Sequence, residues 1–98
     1  MNLVNEIEKI IISHIPDAWI IVNNINNDGE HFEAVVISKS FNELSLLKQH
    51  KAVMKPLQEA FNEKVHALGL KTFSKENWLK NKSNYPMIES LIKEKYKQ

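Results

Sequence analysis

Two histidines carry most of the chemical potential of this chain. His66 is second in VHALGLKTF (residues 65–73), an otherwise apolar, strand-like run. His31 opens a similar run, HFEAVVIS (31–38). With four histidines and no cysteine, the chain's strongest candidate donors for a transition metal are imidazoles. Disulfides are excluded, and any metal would be held by nitrogen, by oxygen or by sulfur from another molecule. Each histidine also has a plainer reading. His66 can be a strand-start residue with a local hydrogen bond, and His31 a half-exposed strand residue. His50 falls on the apolar stripe of a helical pattern and reads as a satisfied core or interface histidine. His14 closes the first helical pattern, where a cation suits the dipole.

The flanking pattern says how these residues could meet. Leu3, Ile7, Ile10, Ile11, His14 and Ile15 recur at helical spacing over residues 2–15, and Pro16 stops the helix. AWIIVNNI (18–25) is β-branched and apolar, a strand. NNDGE (26–30) is a turn, and 31–38 is the return strand of a hairpin. Leu46, His50, Val53, Leu57 and Phe61 form another helical stripe, interrupted by Pro56, so two short helices are expected over about 44–53 and 55–62. A third strand covers 65–73. Ser74 is placed to cap a helix running through Trp78, with Glu76 in its first turn. The last segment predicts one more helix, with Pro86 early and Met87, Leu91 and Ile92 as a short apolar stripe; KNKS (80–83) is the best candidate joint.

The expected order is thus α-β-β-α-α-β-α plus a tail helix, an α/β (α+β) fold with a three-stranded mixed sheet. The hairpin pairs antiparallel, and a third strand reached through a helical crossover favours a parallel partner. Parallel pairing of the second and third strands puts their starts at one rim of the sheet. His31, the hairpin loop and His66 would then meet there, and His66 would be half of a site.

Composition narrows the function classes. Ninety-eight residues with 43% apolar content support one modest core. No apolar run approaches the roughly 18 residues of a membrane span. The opening MNLVNEIEKIIISHIPD lacks a basic leader and carries Glu6 and Glu8 within its apolar run, so no signal peptide is expected and a cytoplasmic location is. Charge is uneven: residues 1–70 hold 6 lysines against 9 acids, and residues 71–98 hold 7 against 3. A basic tail can mean nucleic acid, yet every cation is lysine, and arginine is the usual bidentate reader of guanine and phosphate. Lys71, Lys75, Lys80 and Lys82 form a candidate basic strip beside Phe73 and Trp78 that would contact phosphates or an acidic partner. The plainer readings are a solvated helix face and, for Trp78, core packing. An enzyme is not expected: no paired carboxylates, nucleophile with base, phosphate-cradling loop or HExxH appears.

HFEAVVIS, Phe41, LLKQHKAV, PLQEAF and VHALGLKTFSKENW, in this order, resemble the BolA-like family over roughly residues 3 to 80. The most specific piece is V-H-A-L followed by K-T-aromatic-S/T-x-x-x-W. The resemblance implies a class II KH-like fold, with residues 1–82 as the family domain and 83–98 as a C-terminal helical extension outside the shared pattern. KH-type RNA binding is nonetheless disfavoured, because the only glycines, Gly29 and Gly69, do not make the Gly-x-x-Gly loop it needs.

The resemblance further implies an adaptor that binds a monothiol glutaredoxin and shares its [2Fe–2S] cluster, in iron–sulfur trafficking or iron and redox regulation. In that family the VHAL histidine, here His66, is the recurrent cluster ligand. A second ligand, Cys or His, often comes from the loop between the first two strands. Asp28 stands where some relatives keep Cys, which leaves His31, matching the S-H-F of several bacterial members, as the candidate. A glutaredoxin cysteine and glutathione would supply the remaining ligands. No cofactor is expected in the isolated chain, which would be a monomer or weak homodimer. The alternative is a DNA-binding transcriptional regulator of stress or morphology, as some bacterial members are described, using the third strand and the following helix. Imidazole can replace thiolate on a cluster iron, and the ring must be neutral to do so, which makes the shared cluster acid-sensitive.

Overall fold

The computed structural model describes residues 3–24, 31–61 and 68–96. Helix α1 spans Leu3–His14, strand β1 Trp19–Asn24 and strand β2 Phe32–Ser38. Helix α2 spans Leu46–Phe61, strand β3 Leu68–Ser74, helix α3 Lys75–Asn81 and helix α4 Pro86–Tyr96. Short 3₁₀ turns cover Lys39–Phe41 and Lys82–Asn84. The fold is the expected mixed α/β type. Among the described residues, no helix is long and apolar enough to cross a membrane.

The sheet order is β1-β2-β3, with β1 antiparallel and β3 parallel to β2. Side chains alternate between its faces, and each face has its own helical layer. Phe32, Val36 and Ile20 point one way, into a core closed by Ile7 and Ile11 of α1 and Val53 and Leu57 of α2. Val35 and Ile37 point the other way, against Trp78 of α3 and Ile92 of α4. The central strand is therefore buried on both sides, as its unbroken apolar run AVVI suggests. Ser74 caps α3 by accepting from the Asn77 N–H at 3.0 Å, and Trp78 is 2% exposed, a core residue.

Two expectations need correcting. The break at Pro56 does not occur: α2 is one helix of 16 residues with the proline inside it. An interior proline removes one helical hydrogen bond, the one Ala52's carbonyl would accept, and its ring crowds the preceding turn. Pro56 is itself buried beside Val53 and Leu57 on the core stripe. Packing of that stripe on both sides of the proline outweighs the local preference to stop.

The stripe of α4 also differs from expectation. Ile88, Ile92 and Tyr96, at i, i+4 and i+8, face the sheet. Met87 and Leu91 are 77% and 42% exposed. The joint before α4 is packed too. Tyr85 lies edge-on to Phe73, centroids 5.3 Å apart, and beside Trp78, at 6.4 Å.

Candidate functional site

The ladders place three chain segments at one end of the sheet. Asn24, the last residue of β1, pairs with Phe32, the first of β2, and Phe32 pairs with Leu68, the first of β3. His31 immediately precedes Phe32 and is exposed, while Phe32 is 1% exposed and anchors the strand in the core below. His66 lies outside the described residues, as do Asp28 and Gly29 of the hairpin turn. The parallel partnership that the proposed rim requires is present, and His66 precedes Leu68 by two residues in the chain.

Among the described residues, no group of three or more His, Cys, Asp or Glu side chains is arranged to hold a metal. His14 is occupied locally: its Nδ1 lies 3.0 Å from the Ile10 carbonyl and 3.1 Å from Ser13 Oγ. His50 is half-buried on α2.

The four lysines of the candidate basic strip have different surroundings. Lys71 is exposed on the α4 side of β3, with no ion-pair partner among the described residues. Lys75, the first residue of α3, stands over the Trp19 ring with Nζ 2.8 Å from its centroid, a cation–π contact. Burial, and next the Lys39 charge, pull its ammonium below the ordinary lysine range; Asp17 works against them. Lys80 pairs with Glu76 one turn back, at 3.4 Å. Lys82 pairs with Glu89 of α4, also at 3.4 Å.

A feature that motif reading missed lies beside the rim. Between α4 and the sheet runs a groove of about 290 Å³, lined by Ile21, Val35, Gly69, Met87, Ile88 and Leu91, with Glu33 and Lys71 also on its wall. Its sequence signal was faint: one glycine in a strand, and a tail helix with more apolar residues than one face can bury.

Comparison with known proteins assigns the chain. The family model described as "BolA-like protein" matches residues 13–77. The chain is 36% identical over 69 residues to the uncharacterized protein RP812 of Rickettsia prowazekii, covering 70% of this chain and 90% of that one. It is 30% identical over 56 residues to a Haemophilus influenzae protein named DNA-binding transcriptional regulator BolA, covering 57% of this chain and 54% of the relative. The structure of a BolA homologue from Coxiella burnetii superposes with a TM-score of 0.65 at 29% identity, covering 80% of this chain and 97% of that one. Motif order, sheet topology and these likenesses agree, and the chain belongs to the BolA-like protein family.

Proposed function

We propose that this protein is an adaptor that docks a monothiol glutaredoxin at the rim formed by the starts of β2 and β3. There it completes a shared [2Fe–2S] cluster through His66, with His31 as the second donor. The observation that carries this reading is the parallel register. Leu68 stands opposite Phe32, and two residues of chain reach at most about 7 Å. His66 is two residues before Leu68 in the chain and His31 is one before Phe32, which supports a common rim.

The donor chemistry supports a shared cargo. The chain has no thiolate, and its described residues hold no ready-made metal group. Any cluster held at this rim must take most of its ligands from the partner. A glutaredoxin cysteine and glutathione provide them. In this reading the chain contributes one or two imidazoles, and Phe32, buried directly after His31, fixes the start of β2 beneath that donor.

The test is a titration of a cluster-loaded monothiol glutaredoxin with the apo chain, followed by visible absorption and circular dichroism. The wild type should change both spectra with saturation near one equivalent. His66→Ala should leave them as they are in the glutaredoxin alone, and His31→Ala should weaken the effect. Unchanged spectra with the wild type would overturn the reading.

The name of the Haemophilus relative favours a second reading, DNA binding through β3 and α3. Its cations would be Lys71, Lys75, Lys80 and Lys82. Two of these are paired with carboxylates and one is stacked on Trp19, which reduces the charge on offer to phosphate. Salt separates the readings. Phosphate-driven binding weakens steeply as salt rises, whereas coordination to iron persists.

A further inference from the structure

We propose that the groove between α4 and the sheet seats a second copy of this chain in a twofold arrangement, with Glu33 of each copy facing Lys71 of the other. Three observations carry it.

The first is the apolar surface. The groove continues outward onto Met87 and Leu91, 77% and 42% exposed. Contiguous exposed apolar surface of this kind marks association sites, and a flexible thioether adapts well to a facing pocket.

The second is Gly69 on the groove floor. Its backbone is not in the left-handed region. Among the described residues a Cβ there would meet Glu33 Cγ at 3.6 Å and the Phe32 carbonyl at 3.8 Å, ordinary contacts. Neither the backbone nor the packing of the described residues demands glycine, and glycine weakens a strand. Its remaining effect is to leave the floor open, as happens where another group approaches the backbone closely.

The third is the charge pattern. Glu33 lies opposite Gly69, and Lys71 lies opposite Val35, so the two charges are diagonal neighbours on one face. They do not bridge, and neither has an ion-pair partner among the described residues. Lys80, Lys82, Lys93 and Lys95 all do. One carboxylate and one ammonium without ion-pair partners among the described residues, beside an apolar groove, form a self-complementary patch, which a twofold interface requires. A second copy satisfies both charges at once and brings Met87 as an apolar side chain for the floor over Gly69.

The test is sedimentation equilibrium of the full chain without iron, which makes it independent of cluster ligation. The wild type should show a reversible monomer–dimer equilibrium. Glu33→Lys and Lys71→Glu should each weaken it about tenfold, since two attractive contacts per dimer become repulsive. An equimolar mixture of these two variants should form a heterodimer at wild-type strength, because each lysine then meets a glutamate. Gly69→Val should fill the floor and abolish dimerisation, alone and in the mixture, with an unchanged far-ultraviolet spectrum. A chain monomeric at every concentration, single reversals that dimerise like the wild type, or a mixture that does not recover would each overturn the proposal. So would a monomeric chain in which Gly69→Val instead abolishes glutaredoxin binding, because the groove would then belong to that partner.

Discussion

The backbone N–H of Ile20 donates to the Tyr96 hydroxyl at 2.9 Å, and the Ile20 carbonyl accepts from Lys95 Nζ, also at 2.9 Å. β1 is an edge strand, and Ile20 would otherwise present both groups to solvent or to another chain's edge. The last turn of α4 covers them. Tyr96 also stacks on Trp19, centroids 6.0 Å apart, and Lys95 pairs with Glu8 of α1. The tail helix thus grips the sheet edge and the opposite helical layer together. Tyr96→Phe keeps the ring and removes the hydroxyl. It should cost about 1 kcal/mol in urea unfolding and speed hydrogen exchange at the Ile20 amide. An exchange rate equal to the wild type's would mean that the cap does not form in solution.

Ile92 is the anchor of the same helix, 1% exposed among Val35, Ile37 and Trp78. Ile92→Ala should cost about 2–5 kcal/mol, the range for a large core truncation, in a single cooperative transition. A loss under about 0.5 kcal/mol, the surface-substitution range, would show that residues 83–98 fold apart from the sheet.

Pro56 makes the opposite kind of prediction. Alanine in its place restores the N–H that the Ala52 carbonyl lacks and relieves crowding in a helix interior, where proline is about 3 kcal/mol less favourable than alanine. The loss of the buried ring gives part of this back. Pro56→Ala should therefore raise stability, by about 1 kcal/mol. A loss of stability would show that the ring's packing beside Val53 and Leu57 outweighs the helical term.

Lys75 gives the pH dependence its sign. Burial, the largest cause, and then Lys39 hold its ammonium below the ordinary lysine value, against the pull of Asp17. The unfolded chain therefore keeps this proton to higher pH than the folded one, and stability from this group rises with pH. The cost is fully present below the folded value and gone above the unfolded value near about 10.4. Lys75→Met lacks the titration. As pH rises toward the ordinary lysine value near about 10.4, the wild type should gain stability relative to that variant in urea unfolding. A flat difference, or one that moves against the wild type, would contradict the assignment.

Local chemistry made much of the fold legible. The Pro16 stop, the Ser74 cap and the apolar run of β2 each act within a few residues, and the crossover length alone pointed to a parallel third strand. Three things escaped because they depend on contacts distant in sequence. Pro56 stays helical only because residues on both sides of it enter a core completed by α1 and β2. Ile88, Ile92 and Tyr96 show themselves as the packing face of α4 only when Trp19 and Trp78 are in place. The groove exists only because a helix from the end of the chain lies over the starts of β2 and β3. At the candidate site, the parallel pairing that sets the starts of β2 and β3 at one end of the sheet was legible from the topology, while His66 lies outside the described residues. That Glu33 and Lys71 have no ion-pair partner among the described residues was not legible, because ion pairing is a property of neighbours that spacing does not reveal.

The central claim is that an imidazole of this chain binds iron in a cluster shared with a monothiol glutaredoxin. The most direct measurement is pulsed electron–nuclear spectroscopy of the reduced mixed complex, with only this chain's histidines labelled with ¹⁵N. The account predicts a strong ¹⁵N coupling that disappears in His66→Ala and weakens at acid pH, where protons compete with iron for the ring. A spectrum with no ¹⁵N coupling, or one that His66→Ala leaves unchanged, would contradict it.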